Sequence, residues 1–181
     1  SLEMRISPAS AQAPGSKIYA PIVQTAPVTG EWPTVAANPQ RTSWNSAEVS
    51  WDLNVEWYLP VEAYIPQNVQ LIAANGMIYV ATARGLYALN AATGAVVWRF
   101  DTELPIGNSP TVQAGIVYFG GYDRKVHALN ALTGAPIWEF SGAKAGYDTN
   151  PLVVENKVFL GNRDGNLYAL DAASGRLSWQ F

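Results

Sequence analysis

Hydrophobic and polar residues alternate along the chain in short runs from about residue 48 onward. Between Val49 and Leu59 every second residue is apolar, over eleven consecutive positions. A period of two is the pattern of a half-buried β-strand, because successive side chains of a strand point to opposite faces. We therefore predict a strand over 49–59. The segments after it show no helical periodicity and predict further short strands.

A repeat of about 40 residues organises the rest of the chain. The tryptophans at 57, 98, 138 and 179 are separated by 41, 40 and 41 residues, and a glycine stands four residues before each of the last three. Three units follow, at about 61–100, 101–140 and 141–181. Each contains a short apolar segment, a β-rich run, a tight turn with a third run, and a Thr-Gly or Ser-Gly turn before the run that carries the Trp.

Four short strands repeated with this period are typical of β-propeller blades. The predicted fold class is all-β, a β-propeller of four-stranded blades, with three blades and one closing strand present. Three blades and a strand do not close a ring of the usual four to eight blades. We expect them to be part of a seven- or eight-bladed ring, closed by further C-terminal blades or, as the alternative, by another chain.

The repeated Trp, Gly and Ala positions predict how the blades join. A Trp on the outermost strand can reach the neighbouring blade, where it covers roughly 150–250 Å² when buried. Gly adopts a positive φ without penalty in the turn and leaves room for a neighbouring ring, and Ala is small where two sheets approach closely. The predicted docking residues are Ala88, Gly94, Trp98, Ala128, Gly134, Trp138, Ala169, Gly175, Trp179 and, before the first unit, Trp57.

This pattern, Ala-x-Asn/Asp-x-x-Thr/Ser-Gly-x-x-x-Trp, resembles the tryptophan-docking motif of PQQ-type (quinoprotein) β-propeller repeats. The stretch EWPTVAANPQRTSW, residues 31–44, resembles the segment that precedes the first blade in such proteins. The resemblance implies the propeller fold but not one function. The family includes quinone-dependent alcohol and sugar dehydrogenases, a non-enzymatic outer-membrane barrel-assembly lipoprotein, and sensor domains joined to kinases.

Residues 1–47 differ in composition from the repeats. Six of the twelve prolines lie in the first 45 residues, among Ala, Ser and Thr. Because Pro donates to no ladder and disfavours helix before it, this region is predicted to be an extended arm or linker. A disordered leader and an arm lying on its own domain or on a partner both remain open. The chain begins with Ser and shows no apolar signal region, so a trimmed start is expected, and the removal of an export signal is left open.

Composition and charge exclude several classes of function. The net charge of −3 and the lack of a basic run argue against nucleic-acid binding. No apolar run approaches the length of a transmembrane helix. The absence of cysteine excludes disulfides, thiolate metal sites and a cysteine nucleophile. The resemblance and the lack of cysteine together favour an extracytoplasmic location, either free or associated with a membrane.

Residues that suggest chemistry have simpler interpretations. His127 stands where the other units have Tyr87 and Tyr168, so the position is expected to accept any flat ring. RDGN, at 163–166, lacks the regular acidic ligands of a calcium loop and is predicted to be a hairpin turn. GGYDRK is followed by no helix and is no phosphate loop. We therefore predict no catalytic and no metal-binding residue.

The turns that lead into the innermost strands should line the mouth of the central channel. Their polar side chains either satisfy nearby backbone groups or form a polar rim for a small ligand or a partner loop. These residues are Gln67, Asn68, Asn108, Ser109, Asp148, Thr149 and Asn150.

The favoured function is a non-catalytic scaffold or protein-interaction module, with protein partners and no cofactor. One alternative is a fragment of a PQQ- and calcium-dependent alcohol or sugar dehydrogenase, and another is a ligand-sensing ectodomain. For the dehydrogenase the family implies a carboxylate base, an Arg or Lys and a calcium ion around the quinone. No residue of this chain can be matched to those ligands, and the vicinal cysteines of many alcohol-oxidising members are absent.

Overall fold

The structure is a computed structural model, and it describes residues 31–40, 55–61, 64–66 and 68–181. The remainder of the predicted arm, at 1–30 and 41–47, lies outside the described residues. So do positions 49–54 of the predicted closing strand and the candidate rim residue Gln67.

Twelve strands form three antiparallel sheets of four, and within each sheet the strands are adjacent in chain order. No helix occurs in the described ranges. The first sheet has β1 (Ile72–Ala74), β2 (Met77–Thr82), β3 (Gly85–Asn90) and β4 (Val96–Asp101). The second has β5 (Thr111–Gln113), β6 (Ile116–Gly120), β7 (Val126–Asn130) and β8 (Pro136–Phe140). The third has β9 (Leu152–Val154), β10 (Lys157–Gly161), β11 (Leu167–Asp171) and β12 (Leu177–Gln180).

The sheets are successive blades of a β-propeller. Their first strands, β1, β5 and β9, lie side by side, and their last strands are the most exposed. Successive side chains of β6 point to opposite faces of the sheet and pack against different blades. Val117 and Phe119 pack with the first blade, whereas Tyr118 packs with the third. The middle blade thus buries both faces against its neighbours, and the predicted all-β propeller class is confirmed.

Residues 55–61 of the closing segment have no strand partner among the described residues. The inner strands of the blade to which this segment should belong were expected from outside the chain, so the closing strand stays a prediction. The side chains of Trp57, Leu59 and Val61 cover the open face of the first blade, where they pack against Val80 and its neighbours. These described residues are therefore half-buried, as the alternating pattern predicts.

The segment Glu31–Thr34 lies on the propeller itself, and we call it the channel strap. It pairs with the innermost strand β1 through an antiparallel bridge between Trp32 and Ala73. This places part of the predicted arm against the inner edge of the blades, about 40 positions away in sequence. Trp32 also packs against the core between the first two blades.

Candidate functional site

Three of the four tryptophans of the repeat dock on the blade that follows them. The Trp98 indole lies over Gly134 of the second blade, and its Nε1 donates a hydrogen bond to Ala131 O at 2.9 Å. The same two contacts recur at the other blade junctions. They join Trp57 to Gly94 and Ala91 O at 2.9 Å, and Trp138 to Gly175 and Ala172 O at 2.9 Å. We call this arrangement the tryptophan clasp.

Glycine is required at the clasp for two separate reasons. Gly134 has a φ of +72°, a conformation that side chains disfavour. A Cβ at this position would also lie 2.7 Å from Cδ2 of Trp98, well inside van der Waals contact. The turn is held by Asn130, whose Oδ1 accepts the backbone N–H groups of Leu132 and Thr133. The Asn/Asp and the Gly of the motif thus build one surface for the incoming ring.

The motif alanine lies directly opposite the tryptophan within each blade. Ala88 pairs with Trp98 and Ala128 with Trp138, and the ladder shifts register immediately after each pair. Ala169 and Trp179 repeat the arrangement. All three alanines are fully buried. A small side chain at this point leaves space for the large ring on the next strand.

A tyrosine of the second strand also contributes to the clasp, and the sequence analysis missed it. The Tyr79 hydroxyl donates to Ala131 O at 3.1 Å, so this carbonyl accepts from both Tyr79 and Trp98. Tyr118 and Trp138 share Ala172 O in the same way. The available signal was the aromatic residue at one fixed position of the IYV, VYF and VFL runs.

Trp179 differs from the other three tryptophans. It contacts Phe159 of its own blade at a ring-centroid distance of 5.8 Å, and it is 42% exposed. No following blade is present among the described residues to receive it. Trp179 and the neighbouring Leu177 and Phe181 therefore leave an apolar face exposed on the third blade.

The predicted channel-mouth residues are used largely to connect blades. Ser109 Oγ accepts the N–H of Gln70 from the first blade at 2.7 Å, and the Ser109 N–H donates to Asn150 Oδ1 of the third blade at 2.7 Å. These three residues occupy the equivalent position in consecutive units. A side-chain oxygen at this position therefore receives the backbone N–H of the preceding blade.

Two further mouth residues bind backbone groups at the ends of the blades, Asn108 in two units and Thr149 in its own. Asn108 Nδ2 donates to Gly120 O at 2.8 Å and to Tyr147 O at 3.2 Å, and only 1% of Asn108 is exposed. Thr149 Oγ1 exchanges hydrogen bonds with the N–H and C=O of Gly161. Because Asn108 and Ser109 are buried, neither presents its side chain to a ligand in solution.

The exposed part of the mouth is formed by Asn68, Asp148 and Thr149. Asp148 binds the guanidinium of Arg163, which also lies over the Tyr122 ring at 4.9 Å. The structure therefore separates the six described candidates into residues that connect blades and a small exposed group. A rim for a ligand or partner stays a prediction for the exposed group.

His127 is buried between aromatic rings. Its imidazole stacks on Phe119 with centroids 4.9 Å apart, and Phe100 meets it edge-on at 5.4 Å. Its Nε2 lies 3.1 Å from Asp123 Oδ2. A cavity of about 340 Å³ opens beside this pair, lined also by Thr102. The Thr102 hydroxyl donates its proton to Leu104 O at 2.8 Å.

The third blade contains the counterpart of this pair. Tyr168 replaces His127, and its hydroxyl donates to Asp164 Oδ2 at 2.6 Å, while Asp164 Oδ1 accepts the N–H of Asn166. In the second blade Asp123 Oδ1 likewise accepts a hairpin N–H. A ring that bonds to a hairpin aspartate is thus a repeated structural feature, which agrees with the interpretation of His127 as a flat ring.

The hydrogen bonds of this feature shift the pKa of the aspartate. Partial burial alone would raise the pKa of Asp164, but hydrogen bonds from Tyr168, Asn166 and backbone N–H groups lower it to about 2. Burial and the neighbouring carboxylate raise the pKa of Tyr168 to about 12. In the second blade, burial likewise tends to raise the pKa of Asp123, but the hydrogen bond from His127 keeps that pKa below its usual value.

Replacement of Asp164 by asparagine is expected to change the acid stability of the protein. The folded-state pKa lies below the ordinary 3.8, so Asp164 stabilises the fold above that pH and loses this contribution as the pH falls towards 2. The Asp164→Asn variant should be less stable than the wild type at neutral pH, and the difference should shrink on acidification. Urea midpoints measured between pH 7 and pH 2 test this, with Tyr168→Phe as a control that weakens the same pair. A difference independent of pH would contradict it.

Neither a cluster of metal ligands nor a membrane-spanning helix occurs among the described residues. No group of three His, Cys, Asp or Glu side chains among them is placed to hold a metal ion. No helix in these ranges has the length and apolarity needed to cross a bilayer.

Similar solved structures establish the fold. A quinohemoprotein alcohol dehydrogenase from Pseudomonas putida HK5 gives a TM-score of 0.72 at 22% identity, over 84% of this chain and 26% of that one. The corresponding enzyme from Comamonas testosteroni gives 0.72 at 22%, over 83% and 27%. BamB from Moraxella catarrhalis gives 0.56 at 21%, over 67% and 37%. The chain thus spans between 26% and 37% of the length of these proteins, and at such identities the similarity shows the fold alone.

The family is shown by sequence. No curated protein matches the chain. Residues 36–181 match the family model PQQ_2, which is described as "Outer membrane protein assembly factor BamB". This match covers all three blades with their tryptophan clasps and confirms the resemblance to PQQ-type repeats. The chain belongs to the PQQ_2 family.

Proposed function

We propose that this chain is a non-catalytic propeller scaffold that binds a protein partner outside the cytoplasm. The observation that carries the proposal is that the polar side chains of the chain form structural hydrogen bonds within and between the blades. Ser109, Asn108 and Asn150 join blades, and the His127–Asp123 pair has a structural counterpart in Tyr168–Asp164. The polar groups that the fold brings together therefore maintain the propeller. The description of the matched family, an outer membrane protein assembly factor, supports the same role and location.

A quinone-dependent dehydrogenase is the second candidate, because two proteins with that activity in their names give a TM-score of 0.72. Such an enzyme needs oxygen ligands that converge on a calcium ion. The part of the chain that the structure describes presents no such group, and the sequence has no cysteine for a vicinal pair. We therefore match no residue of this chain to the cofactor and assign no chemistry through it.

One experiment separates the two functions. The purified chain is incubated with PQQ and calcium, and the dye-coupled oxidation of alcohols and sugars is measured. We expect no turnover above that of the free quinone and no quinone retained after gel filtration. Turnover that depends on the folded protein would overturn the scaffold assignment.

A second experiment tests the partner directly. A photo-crosslinking residue at Asp148 or Thr149, on the exposed mouth, is compared with one at Glu155, in a turn at the opposite end of the same blade. In cells that export the chain, we expect one discrete protein adduct from the mouth positions and none from Glu155. Equal labelling from all three positions, or none, would contradict a partner at the mouth.

A further inference from the structure

The channel strap binds equivalent backbone positions on two consecutive blades. Trp32 N–H donates to Ala73 O at 2.6 Å, and Ala73 N–H donates to Trp32 O at 2.9 Å. One residue later, Pro33 O accepts the N–H of Val112 at 2.7 Å. Ala73 and Val112 are the middle residues of β1 and β5. An extended segment therefore crosses from one inner strand to the next through backbone hydrogen bonds.

The third blade repeats the same edge. Val153 is the middle residue of β9 and pairs with Val158, as Val112 pairs with Val117. Alternate residues of an antiparallel strand turn their N–H and C=O groups away from the neighbouring strand. Val153 consequently directs these groups to the channel side, as Ala73 and Val112 do. The inner edges form one continuous row of backbone donors and acceptors.

Side chains of the strap add selectivity to this backbone pairing. Trp32 packs against the core between the first two blades. Glu31 Oε1 accepts the backbone N–H of Asn75 at 2.9 Å. Thr34 is buried, with its Oγ1 3.1 Å from Thr111 Oγ1.

The direction of the Thr34 contact follows from a neighbouring carbonyl. Thr111 uses its single hydroxyl proton on Pro151 O at 2.7 Å, and a carbonyl only accepts. Thr34 must therefore donate its proton to Thr111. Each residue of the acid–aromatic–Pro–Thr sequence thus makes a distinct contact, and Pro33 needs no N–H because it acts only through its carbonyl.

We infer that the inner edge of β1, β5 and β9 is a binding surface for an extended peptide, and that the channel strap is its intramolecular occupant. The external ligand is a partner segment with the same acid–aromatic–Pro–Thr pattern, which replaces the strap. This inference deepens the proposed function, because it rests on the scaffold role and names the kind of partner. A tethered segment acts at an effective concentration of about millimolar, so the strap keeps the surface closed until a competing segment is abundant or the strap is weakened.

The test uses the full chain and a fluorescein-labelled synthetic peptide, TGEWPTVAA, which corresponds to residues 29–37. Binding is followed by fluorescence anisotropy. Trp32→Ala weakens the strap, and we expect it to bind the peptide about ten-fold more tightly than the wild type does. A peptide with alanine in place of its tryptophan should bind this variant about ten-fold more weakly. Equal affinity of wild type and variant for the unaltered peptide would overturn the inference.

A locked strap provides the second test. The sequence has no cysteine, and the facing hydroxyls of Thr34 and Thr111 make the double variant Thr34→Cys/Thr111→Cys suitable for a single engineered disulfide. The oxidised form should not bind the peptide, and reductant should restore binding. The oxidised and reduced forms of this one protein can be compared even if Trp32→Ala fails to fold. If the disulfide does not affect peptide binding, the inference is refuted. A negative result in the peptide-binding tests would not change the crosslinks expected at Asp148 and Thr149. The inference and the proposed function can therefore fail separately.

Discussion

Replacement of Trp98 by alanine is expected to lower the free energy of unfolding of this chain by about 3 kcal/mol or more. The indole covers the Gly134 turn and packs against the core between the first two blades. Its removal leaves a cavity at a blade junction. Ala131 O still accepts a hydrogen bond from Tyr79, so the carbonyl does not become unsatisfied. The loss therefore comes mainly from packing, and it is measured by urea unfolding followed by circular dichroism.

Two matched variants distinguish docking from general loss of a large side chain. Trp179→Ala removes the equivalent residue at a position where no following blade is present in the described structure, and it should cost about 1 kcal/mol or less. Trp98→Phe retains a ring but loses the Nε1 donor, so an intermediate cost of about 1 kcal/mol is expected. If Trp98→Ala and Trp179→Ala proved equally destabilising, the clasp would not be the source of stability.

Gly134→Ala is expected to be the second most damaging substitution, with a cost of about 3 kcal/mol. The new Cβ must adopt a positive φ and would also lie 2.7 Å from the Trp98 ring. Since the ring is held at its other edge by its hydrogen bond to Ala131 O, it cannot move away without breaking the clasp. Both penalties act on the same blade junction, and denaturant unfolding at constant pH measures their sum.

Gly115→Ala separates the two penalties. Gly115 has a similar φ of +77°, but an added Cβ there meets no atom within 4 Å. This variant should cost only the conformational term of about 1–2 kcal/mol. In a Trp98→Ala background the cost of Gly134→Ala should fall to the same value, because the ring is gone. A cost for Gly134→Ala that does not depend on residue 98 would show that the ring contact contributes nothing.

The clasp explains why the repeat is informative about structure and less so about function. The indole rings of Trp57, Trp98 and Trp138 each lie over a glycine of the next unit and donate one hydrogen bond to that unit. These contacts are made by any chain that stacks such blades, whatever its activity. Function must therefore be sought in groups that the clasp does not use, which here are the exposed mouth and the inner edge covered by the channel strap.

The strands, their turns and the spacing of the clasp residues could be predicted because they depend on local chemistry. Alternation of apolar residues specifies a half-buried strand, and a Thr-Gly or Ser-Gly turn specifies a positive φ. Three copies of the pattern reinforced each assignment. The sequence also places the candidate mouth residues before the inner strand of each unit, whereas their role as a rim for a ligand or partner stays a prediction.

The pairing of distant groups was decided only by the tertiary structure. Sequence alone does not show that Ala131 O is the acceptor shared by Tyr79 and Trp98, or that Ser109 connects the first and third blades. Nor does it show that Trp32 pairs with Ala73, or that residues 55–59 have no strand partner among the described residues. Local propensity and periodicity act over a few residues, whereas these contacts depend on how whole blades are rotated against one another. The sequence by itself thus determined the blades and the positions of their clasps, and the tertiary packing decided which polar groups connect the blades and which stay exposed.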